Sequence, residues 1–225
     1  NNMTHEFKTP ISTISLAAQM LNDPSVKKSE PMLKHICGII NDETKRLRFQ
    51  VEKVLQISMF ERNAATFKPK ELNATDVIND VVTTFRLKVE SLGGVLDTKI
   101  QSSEHWVKVD EMHFTNVLFN LLDNAVKYRD EEKQLKIIIS TREKDGRLKI
   151  SIKDNGIGVK KEELKKIFDK FYRVHTGNRH DVKGFGLGLC YVQNVIKYHK
   201  GTIQADSTLG KGTTFVIELP LSEDS

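Results

Sequence analysis

The sequence is poor in the residues that stabilise small secreted proteins and structural metal sites. It has two cysteines, Cys37 and Cys190, among 225 residues. These are too few for a disulfide framework, and we expect both to be small buried residues in a reducing compartment. Cysteine and histidine do not cluster at metal-ligand spacing, and no uncharged apolar run approaches the roughly 18 residues of a membrane helix. The sequence therefore excludes a disulfide knot, a zinc module and a membrane span.

The charge is nearly balanced, with a small excess of base. Lys and Arg number 35 against 30 Asp and Glu, a formal net charge of +5. Acidic and basic residues alternate over 130–133 and 160–163, which is typical of solvated helix faces. Because no basic stripe interleaved with aromatic residues is present, we expect no nucleic-acid partner. An acidic protein partner is compatible with this charge, and the length allows one or two domains.

The first 65 residues show the spacing of two helices. Pro24 and Ser25 interrupt the first, and Pro31 suits the first position of the second. Apolar residues in the second stretch recur with the steps of a helical hairpin or coiled coil. They are Leu33, Ile36, Ile40, Leu47, Val51 and Val54. Two helices cannot close a core of their own, so two chains are predicted to pair into a four-helix bundle. We assign 1–66 to this dimerisation domain and 67–72 to a linker.

From 73 to 222 the pattern changes to short strands mixed with helices. Alternating apolar residues on both sides of Asp145-Gly146 predict a β-hairpin. Helices are predicted over 74–93, 110–128 and 187–199, and strands over 95–100, 135–141, 148–153, 202–206 and 213–219. The predicted fold class is therefore an α-helical hairpin, forming a dimeric four-helix bundle, followed by an α+β sandwich with helices on one face of its sheet.

The helix predicted over 110–128 carries a row of amide side chains. At about 100° per residue, Asn116, Asn120, Asn124 and Lys127 fall within an arc of roughly 80°. Asparagine is a poor helix former, and solvated helix faces favour other polar residues. Amide carbonyls supply oxygen ligands to Mg²⁺ without adding negative charge beside a triphosphate. The row is a candidate site for a metal and phosphates, and a plain solvated face is the alternative.

Two glycine-rich segments adjoin predicted secondary structure. Segment 154–158 (DNGIG) follows a strand, where glycine permits close approach of backbone to ligand and Asp154 can accept a hydrogen bond from an exocyclic amine such as adenine's. Segment 184–189 (GFGLGL) opens a helix and offers backbone N–H groups to phosphates. Arg173 and Arg179 precede it, where a lid over phosphates needs cations and where a solvated loop is the alternative. Each motif alone is weak evidence.

Six segments match, in order, the motifs of one known family. Residues 120–128 (NLLDNAVKY) resemble the N box of bacterial sensor histidine kinases. Residues 154–158, 168–171, 184–189 and 210–213 are similar to the G1, F, G2 and G3 boxes of that family. Near the start of the chain, residues 4–10 (THEFKTP) resemble the H box of the dimerisation and phosphoacceptor domain. Any one motif is modest evidence, but the ordered set covers nearly the whole chain and is specific.

The resemblance implies an ATP-binding sandwich of the gyrase, Hsp90 and MutL type (the Bergerat or GHKL fold) over 73–222. By this analogy Asn124 is expected to ligate Mg²⁺, with Asn120 as a possible second ligand. Lys127 is expected to contact phosphate oxygens, Tyr128 to border the nucleoside, and Asp154 to bond the adenine amino group. The other candidates for ATP binding are Gly156, Gly158, Arg173, Arg179, Gly184, Gly186, Leu187, Gly188 and Thr213.

His5 is the predicted nucleophile, because it lies in the segment that resembles the H box. An unperturbed imidazole is mostly neutral near pH 7 and can accept a phosphoryl group. Glu6 is expected to orient the ring and take its proton, with an ordinary surface acid as the alternative. The implied activity is that of a protein-histidine kinase, which passes the γ-phosphoryl group of ATP to His5 and then to an aspartate of a response-regulator receiver domain. Asn120 and Lys127 are also expected to be catalytic, because positioning and charge neutralisation account for most of the catalysis of phosphoryl transfer.

Thr9 lies four residues after His5, about one helical turn away. The Glu-x-x-Thr arrangement of Glu6 and Thr9 resembles the signature of family members that also dephosphorylate their partner, with the hydroxyl positioning water. We therefore predict a second, phosphatase activity. A threonine that merely packs is the alternative.

Two other functions stay open on the sequence: an ATPase or serine kinase on the same fold, and a non-catalytic dimeric scaffold that binds ATP. Neither needs the segment around His5. The chain opens on Asn, with four residues before His5, so we expect a piece of a longer protein. By analogy with the family, that protein is expected to be anchored in the bacterial inner membrane, with this piece in the cytoplasm and without direct membrane contact. Phosphoryl transfer within one chain and transfer across the dimer both stay open, and the choice depends on the handedness of the turn over 23–28.

Overall fold

The first part of the structure is a helical hairpin. The computed structural model describes residues 2–24, 29–62, 67–102, 104–174 and 186–222, and leaves the side chains of 2–6, 48–50 and 52–62 undescribed. Helix α1 covers Asn2–Met20 and helix α2 covers Glu30–Arg62. Ala17 and Ile36 form the small buried cluster between them. In the described ranges, no helix combines the length and apolar character that crossing a bilayer requires.

The two cysteines differ in exposure. Cys190 is buried, as expected, but Cys37 is exposed, and the prediction for it is wrong. Ile36, the preceding residue on α2, is buried against α1. Because successive helical residues are turned by about 100°, Cys37 lies outside that contact.

The second part is an α/β domain with two sheets. Its elements in chain order are β1 (Lys70–Asn73), α3 (Ala74–Glu90), β2 (Val95–Lys99), β3 (Trp106–Val109), α4 (Glu111–Lys127), β4 (Lys136–Lys144), β5 (Arg147–Asp154), α5 (Gly188–Tyr198), β6 (Thr202–Thr208) and β7 (Gly212–Pro220). Short 3₁₀ turns cover Lys161–Glu163 and Lys166–Phe168. The main sheet has the order β2-β4-β5-β7-β6, and β1 pairs with β3 separately.

One face of the main sheet carries the hydrophobic core. Alternate residues of β5 are buried, including Leu148, Ile150 and Ile152, and Ile150 pairs with the equally buried Ile217 of β7. Helices α3, α4 and α5 contact this sheet through strands β2, β5 and β6. Burial of each such side chain contributes about 1.5–3 kcal/mol of transfer free energy. The predicted α+β sandwich, with its helices on one face of the sheet, is confirmed.

The turn between β4 and β5 is the predicted hairpin. Asp145 and Gly146 both have positive φ, of 53° and 69°, and Lys144 pairs with Arg147 across them. Positive φ at both central residues is the geometry that matches the twist of the two strands. The Asp145-Gly146 turn therefore determines which residues of β4 and β5 pair, and this register could be predicted from the local sequence.

Residues 67–72, predicted as a linker, contribute to the α/β domain. Strand β1 begins at Lys70 and pairs antiparallel with β3, with Leu72 opposite Val107. Phe67 and Leu72 are buried. Neither β1 nor β3 was predicted from the sequence, because each is four residues long and its stability depends on the other strand.

Candidate functional site

Helix α4 presents a polar face beside the start of α5. Its buried side packs in the core, whereas Asn116, Asn120 and Asn124 are half-buried. The Asn120 side-chain N–H donates to the Asn116 carbonyl at 2.7 Å, which directs the Asn120 carbonyl oxygen away from the helix backbone. A Cβ atom on Gly188 would lie 3.0 Å from that oxygen. The first residue of α5 and Asn120 are therefore in close proximity.

Asn116 has a different environment from the other members of the amide row. The Asn116 side chain hydrogen-bonds Tyr191 of α5, and the Tyr191 hydroxyl also lies 2.8 Å from His113 Nδ1. Burial raises the pKa of Tyr191 to about 12, so its hydroxyl stays protonated. Asn116 therefore connects α4 to α5 and is not a candidate for ligand binding. The candidates that remain on this face are Asn120, Asn124 and Lys127.

Lys127 is held by a carboxylate of its own helix. Its Nζ lies 2.7 Å from Asp123 Oδ2, and Lys88 Nζ lies 2.9 Å from Asp123 Oδ1. Burial by itself raises the pKa of Asp123, but the two ammonium groups outweigh it and hold the pKa below its ordinary value. Asp123 is thus a carboxylate at neutral pH. The pairing of Lys88 with Asp123 was not predicted, since the two residues are 35 positions apart in the chain.

Asp154, at the end of β5, is the centre of a second group of candidate residues. Its Oδ1 accepts the backbone N–H of Gly156 at 2.8 Å and that of Thr213 at 3.1 Å. Burial raises the pKa of this carboxyl even though both N–H donors oppose the shift. The structure thus brings Asp154, Gly156 and Thr213 together, as the motifs predicted.

Tyr128 adjoins the same turn. The Ile157 N–H donates to the Tyr128 carbonyl at 3.0 Å. A Cβ atom on Gly156 would overlap that carbonyl, so only glycine permits this approach of the turn to the end of α4. Burial raises the pKa of the Tyr128 hydroxyl, and the positive charge of Arg173 opposes the increase. Arg173 is thus close enough to act electrostatically on Tyr128.

The turn between β6 and β7 closes over the turn after β5. The Gly210 N–H donates to the Ile157 carbonyl at 2.7 Å, and Gly158, at φ +69°, packs on Thr208. Ser207 is the central residue of this contact: it accepts the Val159 N–H, donates to the Gly212 carbonyl, each at 2.8 Å, and lies 3.0 Å from the Thr213 hydroxyl. Ser207 was not predicted as a site residue, because a lone serine at the end of a strand carries no distinguishing signal in the sequence.

The described residues on the two sides of 175–185 contact each other. The Phe171 N–H donates to the Gly186 carbonyl at 3.0 Å. Gly186 has φ +69°, and a Cβ there would lie 2.5 Å from the Tyr172 carbonyl. Leu187 is buried and precedes α5. The predicted phosphate contacts Arg179 and Gly184 lie outside the described residues.

The predicted phosphoacceptor segment is in helix α1. His5 and Glu6 lie in this helix, but their side chains are outside the described set. Thr9 is exposed, one turn after His5, and Pro10 follows inside the helix. The structure thus places Thr9 on the same helix as His5, without describing the His5 ring.

The fold and the loops around α4 and β5 define a class of ATP-binding domain. Residues 109–223 match the family described as "Histidine kinase-, DNA gyrase B-, and HSP90-like ATPase". Residues 1–63 match the family described as "His Kinase A (phospho-acceptor) domain". The first family spans just over half of the chain, and the second spans the helical hairpin.

Similar proteins carry both parts. Sensor protein RprX of Bacteroides fragilis is 64% identical over 98% of this chain, which spans 43% of RprX. The structure of Acinetobacter baumannii histidine kinase AdeS has the same fold, with a TM-score of 0.73 and 24% identity over 97% of this chain and 98% of AdeS. Histidine kinase ThkA, solved in complex with response regulator protein TrrA, has a TM-score of 0.72 and 24% identity over 98% of this chain and 60% of ThkA. The chain belongs to the sensor histidine kinases, and it spans less than half the length of RprX.

Proposed function

We propose that this chain is the kinase core of a longer sensor histidine kinase. In this proposal the α/β domain binds Mg-ATP, His5 accepts the γ-phosphoryl group, and an aspartate of a response-regulator receiver domain takes it from His5. The observation that carries the proposal is the presence of a phosphoacceptor family match and an ATPase family match on one chain, in that order. An ATPase or serine kinase on this fold needs no such helical domain.

The buried turn after β5 is suited to the adenine end of the nucleotide. With Oδ1 of Asp154 occupied by two backbone donors, its Oδ2 is the acceptor for the adenine amino group. Tyr128 and Thr213 flank this turn, and Gly156 and Gly158 form its wall. Asn120, Asn124, Lys127 and Arg173 then lie toward the phosphates, where backbone N–H groups at the start of α5 add to the positive potential.

The asparagine side chains of α4 suit a Mg²⁺ ion that takes only one or two of its ligands from the protein. In the described part of the chain, no group of three or more His, Cys, Asp or Glu could hold a metal ion. The carbonyl oxygen of Asn120 is directed away from its own helix backbone, and Asn124 lies one turn further on the same face. Mg²⁺ commonly takes one or two protein oxygens and completes its shell with phosphates and water. When bound here, it would neutralise charge on the phosphates.

The proposed chemical step is transfer of the γ-phosphoryl group of ATP to His5 in the phosphoacceptor segment. A ring nitrogen of His5 attacks the γ-phosphorus, the N–P bond forms, and the bond from that phosphorus to the bridging oxygen breaks to release ADP. Glu6 takes the ring proton. Lys127 stabilises charge on the phosphate oxygens, and the protein contributes mainly by positioning and charge neutralisation.

The test is incubation with Mg²⁺ and γ-labelled ATP. Wild type is expected to acquire an acid-labile, alkali-stable label, and His5→Gln is expected to acquire none. His35→Gln is the matched control, because His35 is an exposed histidine of α2 that should not affect labelling. Label that survives in His5→Gln would place the acceptor elsewhere, and acid-stable label on serine would favour the rival kinase. ATP binding without any label would favour the scaffold.

A phosphatase activity is the second part of the proposal. Thr9 is exposed on α1, one turn from His5, so its hydroxyl can position water beside a docked receiver domain. Thr9→Ala is expected to retain labelling of His5 and to lose most of the stimulated dephosphorylation of the phosphorylated receiver, with Thr13→Ala as control. Both rates would be measured on the same preparation. Equal loss of the two activities would contradict the phosphatase role.

The partners follow from the same proposal. A second copy of residues 1–66 completes the helical domain, and a receiver domain docks beside His5. The solved complex of ThkA with a response regulator supports a partner of this class. The whole protein is a membrane-anchored sensor whose kinase core lies in the cytoplasm.

A further inference from the structure

A three-residue charged cluster lies at the edge of the polar face of α4. Asp123 bonds a different lysine through each carboxylate oxygen: Oδ1 lies 2.9 Å from Lys88 and Oδ2 lies 2.7 Å from Lys127. Two ammonium groups and one carboxylate leave the cluster with a charge of +1. The neighbouring asparagines of this face add no charge, so the edge is positive overall.

Lys88 is placed by a different helix from the other two members. It belongs to α3, and its Nζ lies 5.0 Å from the centroid of the Phe85 ring. Phe85 is buried in the domain core. A lysine over a fixed aromatic face is attracted by the ring quadrupole, and its position does not depend on Lys127. Lys88 is thus held at the carboxylate by groups outside the nucleotide-binding motifs.

We propose that Lys88 is a positioning residue for ATP binding, which neutralises Asp123 so that Lys127 can bond the phosphates. The inference rests on the proposed function, because it assigns Lys127 to the nucleotide. Lys88 itself touches no phosphate in this account and acts through Asp123.

The reason is competition for one ammonium group. Without Lys88, Lys127 would be the one lysine bonded to Asp123 among the described residues. A phosphate that drew Lys127 away would then leave a carboxylate uncompensated beside a polyanion. With Lys88 in place, Asp123 keeps its bond to Lys88 through Oδ1 when Lys127 leaves Oδ2 for a phosphate. The carboxylate and the two ammonium groups are at bonding distance of each other, so the competition for Lys127 follows from the geometry.

The experiment is a double-mutant cycle on the full chain. Affinity for a non-hydrolysable ATP analogue with Mg²⁺ would be measured by titration calorimetry for wild type, Lys88→Met, Asp123→Asn and the double variant. Lys88→Met is expected to weaken binding by about three- to tenfold, because the groups are half-exposed and partly screened by solvent. In the double variant the competing carboxylate is gone, so affinity is expected to return to within about twofold of Asp123→Asn.

Two further variants separate this role from loss of fold or of charge alone. Lys149→Met removes a lysine of similar exposure (44% against 48%) that pairs with Glu218 at 3.3 Å on the sheet, and it is expected to bind like wild type. Lys88→Arg keeps the charge and is expected to restore binding. The melting temperature of each variant reports on folding.

Three results would overturn the inference: unchanged affinity in Lys88→Met, a loss that persists in the double variant, or a Lys88→Arg variant as weak as Lys88→Met. If wild type itself does not bind the analogue, the proposed function fails together with this inference. If wild type binds and only the cycle fails, the proposed function stands.

Discussion

At the scale of single residues, Asp154 shows a balance between stability and binding. Its carboxyl group is buried and accepts two backbone N–H groups through one oxygen. Burial nevertheless dominates and raises the pKa of the group. A carboxylate in such a place costs stability at neutral pH. An acceptor for the adenine amino group is the functional reason that we propose for it.

Asp154→Asn is expected to separate these two effects. The amide keeps an oxygen for the backbone donors but presents an N–H₂ donor to the adenine amino donor, so analogue binding should weaken at least about tenfold. Because the folded-state pKa of Asp154 is raised, its contribution to stability is full at low pH and is lost as the pH rises through that value. The variant should therefore gain stability relative to wild type between pH 4 and pH 7.

Urea denaturation at both pH values and calorimetric titration of the analogue would measure the two quantities. Parallel loss of stability and binding at neutral pH would contradict this account. Asp206→Asn, at an exposed position of β6, is a suitable control for removal of one carboxylate from the same sheet.

At the scale of elements, the segment that leads into β1 is part of the α/β domain. Phe67 stacks on Tyr198 of α5, with ring centroids 3.9 Å apart, and lies 4.6 Å from the ring of His113 in α4. The next residue, Lys68, donates its N–H to Asp110 Oδ2 at 2.8 Å. The Asp110 N–H in turn donates to His199 Nε2 at 2.9 Å. One short segment therefore connects the start of α4 with the end of α5.

Phe67→Ala is expected to destabilise the α/β domain by about 3 kcal/mol, because it removes a buried ring and leaves a cavity between α4 and α5. Phe67→Leu should retain most of the stability, since it fills much of the same volume. Urea denaturation, followed by the fluorescence of Trp106 on β3, measures this domain. A loss below about 0.5 kcal/mol, the range of ordinary surface substitutions, would show that the segment is only a linker.

At the scale of the whole molecule, the two parts bury very different amounts of apolar surface. The α/β domain has a continuous core that joins helices α3, α4 and α5 to the main sheet. The buried cluster of the hairpin is Ala17 with Ile36. Large apolar side chains of the hairpin, including Ile11, Leu16 and Met32, are exposed in the single chain. We expect a second copy of the hairpin to cover them, since two helices alone close no core of their own.

Leu16→Glu is expected to shift the chain from dimer to monomer, because the side chain is 60% exposed in the single chain and a carboxylate at the proposed interface would be buried without a partner. Sedimentation velocity over a range of concentrations measures the change. Leu87→Glu places the same charge on an exposed leucine of α3 and should leave the association unchanged. A Leu16→Glu chain that still dimerises like wild type would exclude this face of α1 from the interface.

Local signals were sufficient for much of the fold. The helix predicted over 110–128 is α4, which Asp110 caps at its start and Tyr128 at its end. The Asp145-Gly146 turn set the hairpin and its register. The motif around Asp154 named residues that the structure brings together, although their roles in binding ATP stay predictions. Each of these features depends on neighbours within a few residues, through capping, helical period or turn geometry.

The sequence by itself thus determined the class of fold, the family and most candidate site residues. The tertiary structure alone decided the pairing of β1 with β3, the burial of Phe67, the bond from Asn116 to Tyr191 and the attachment of Lys88 to Asp123. These are contacts between residues that are distant in the chain. The path of the backbone sets which side chains meet, and no local periodicity or motif encodes that path.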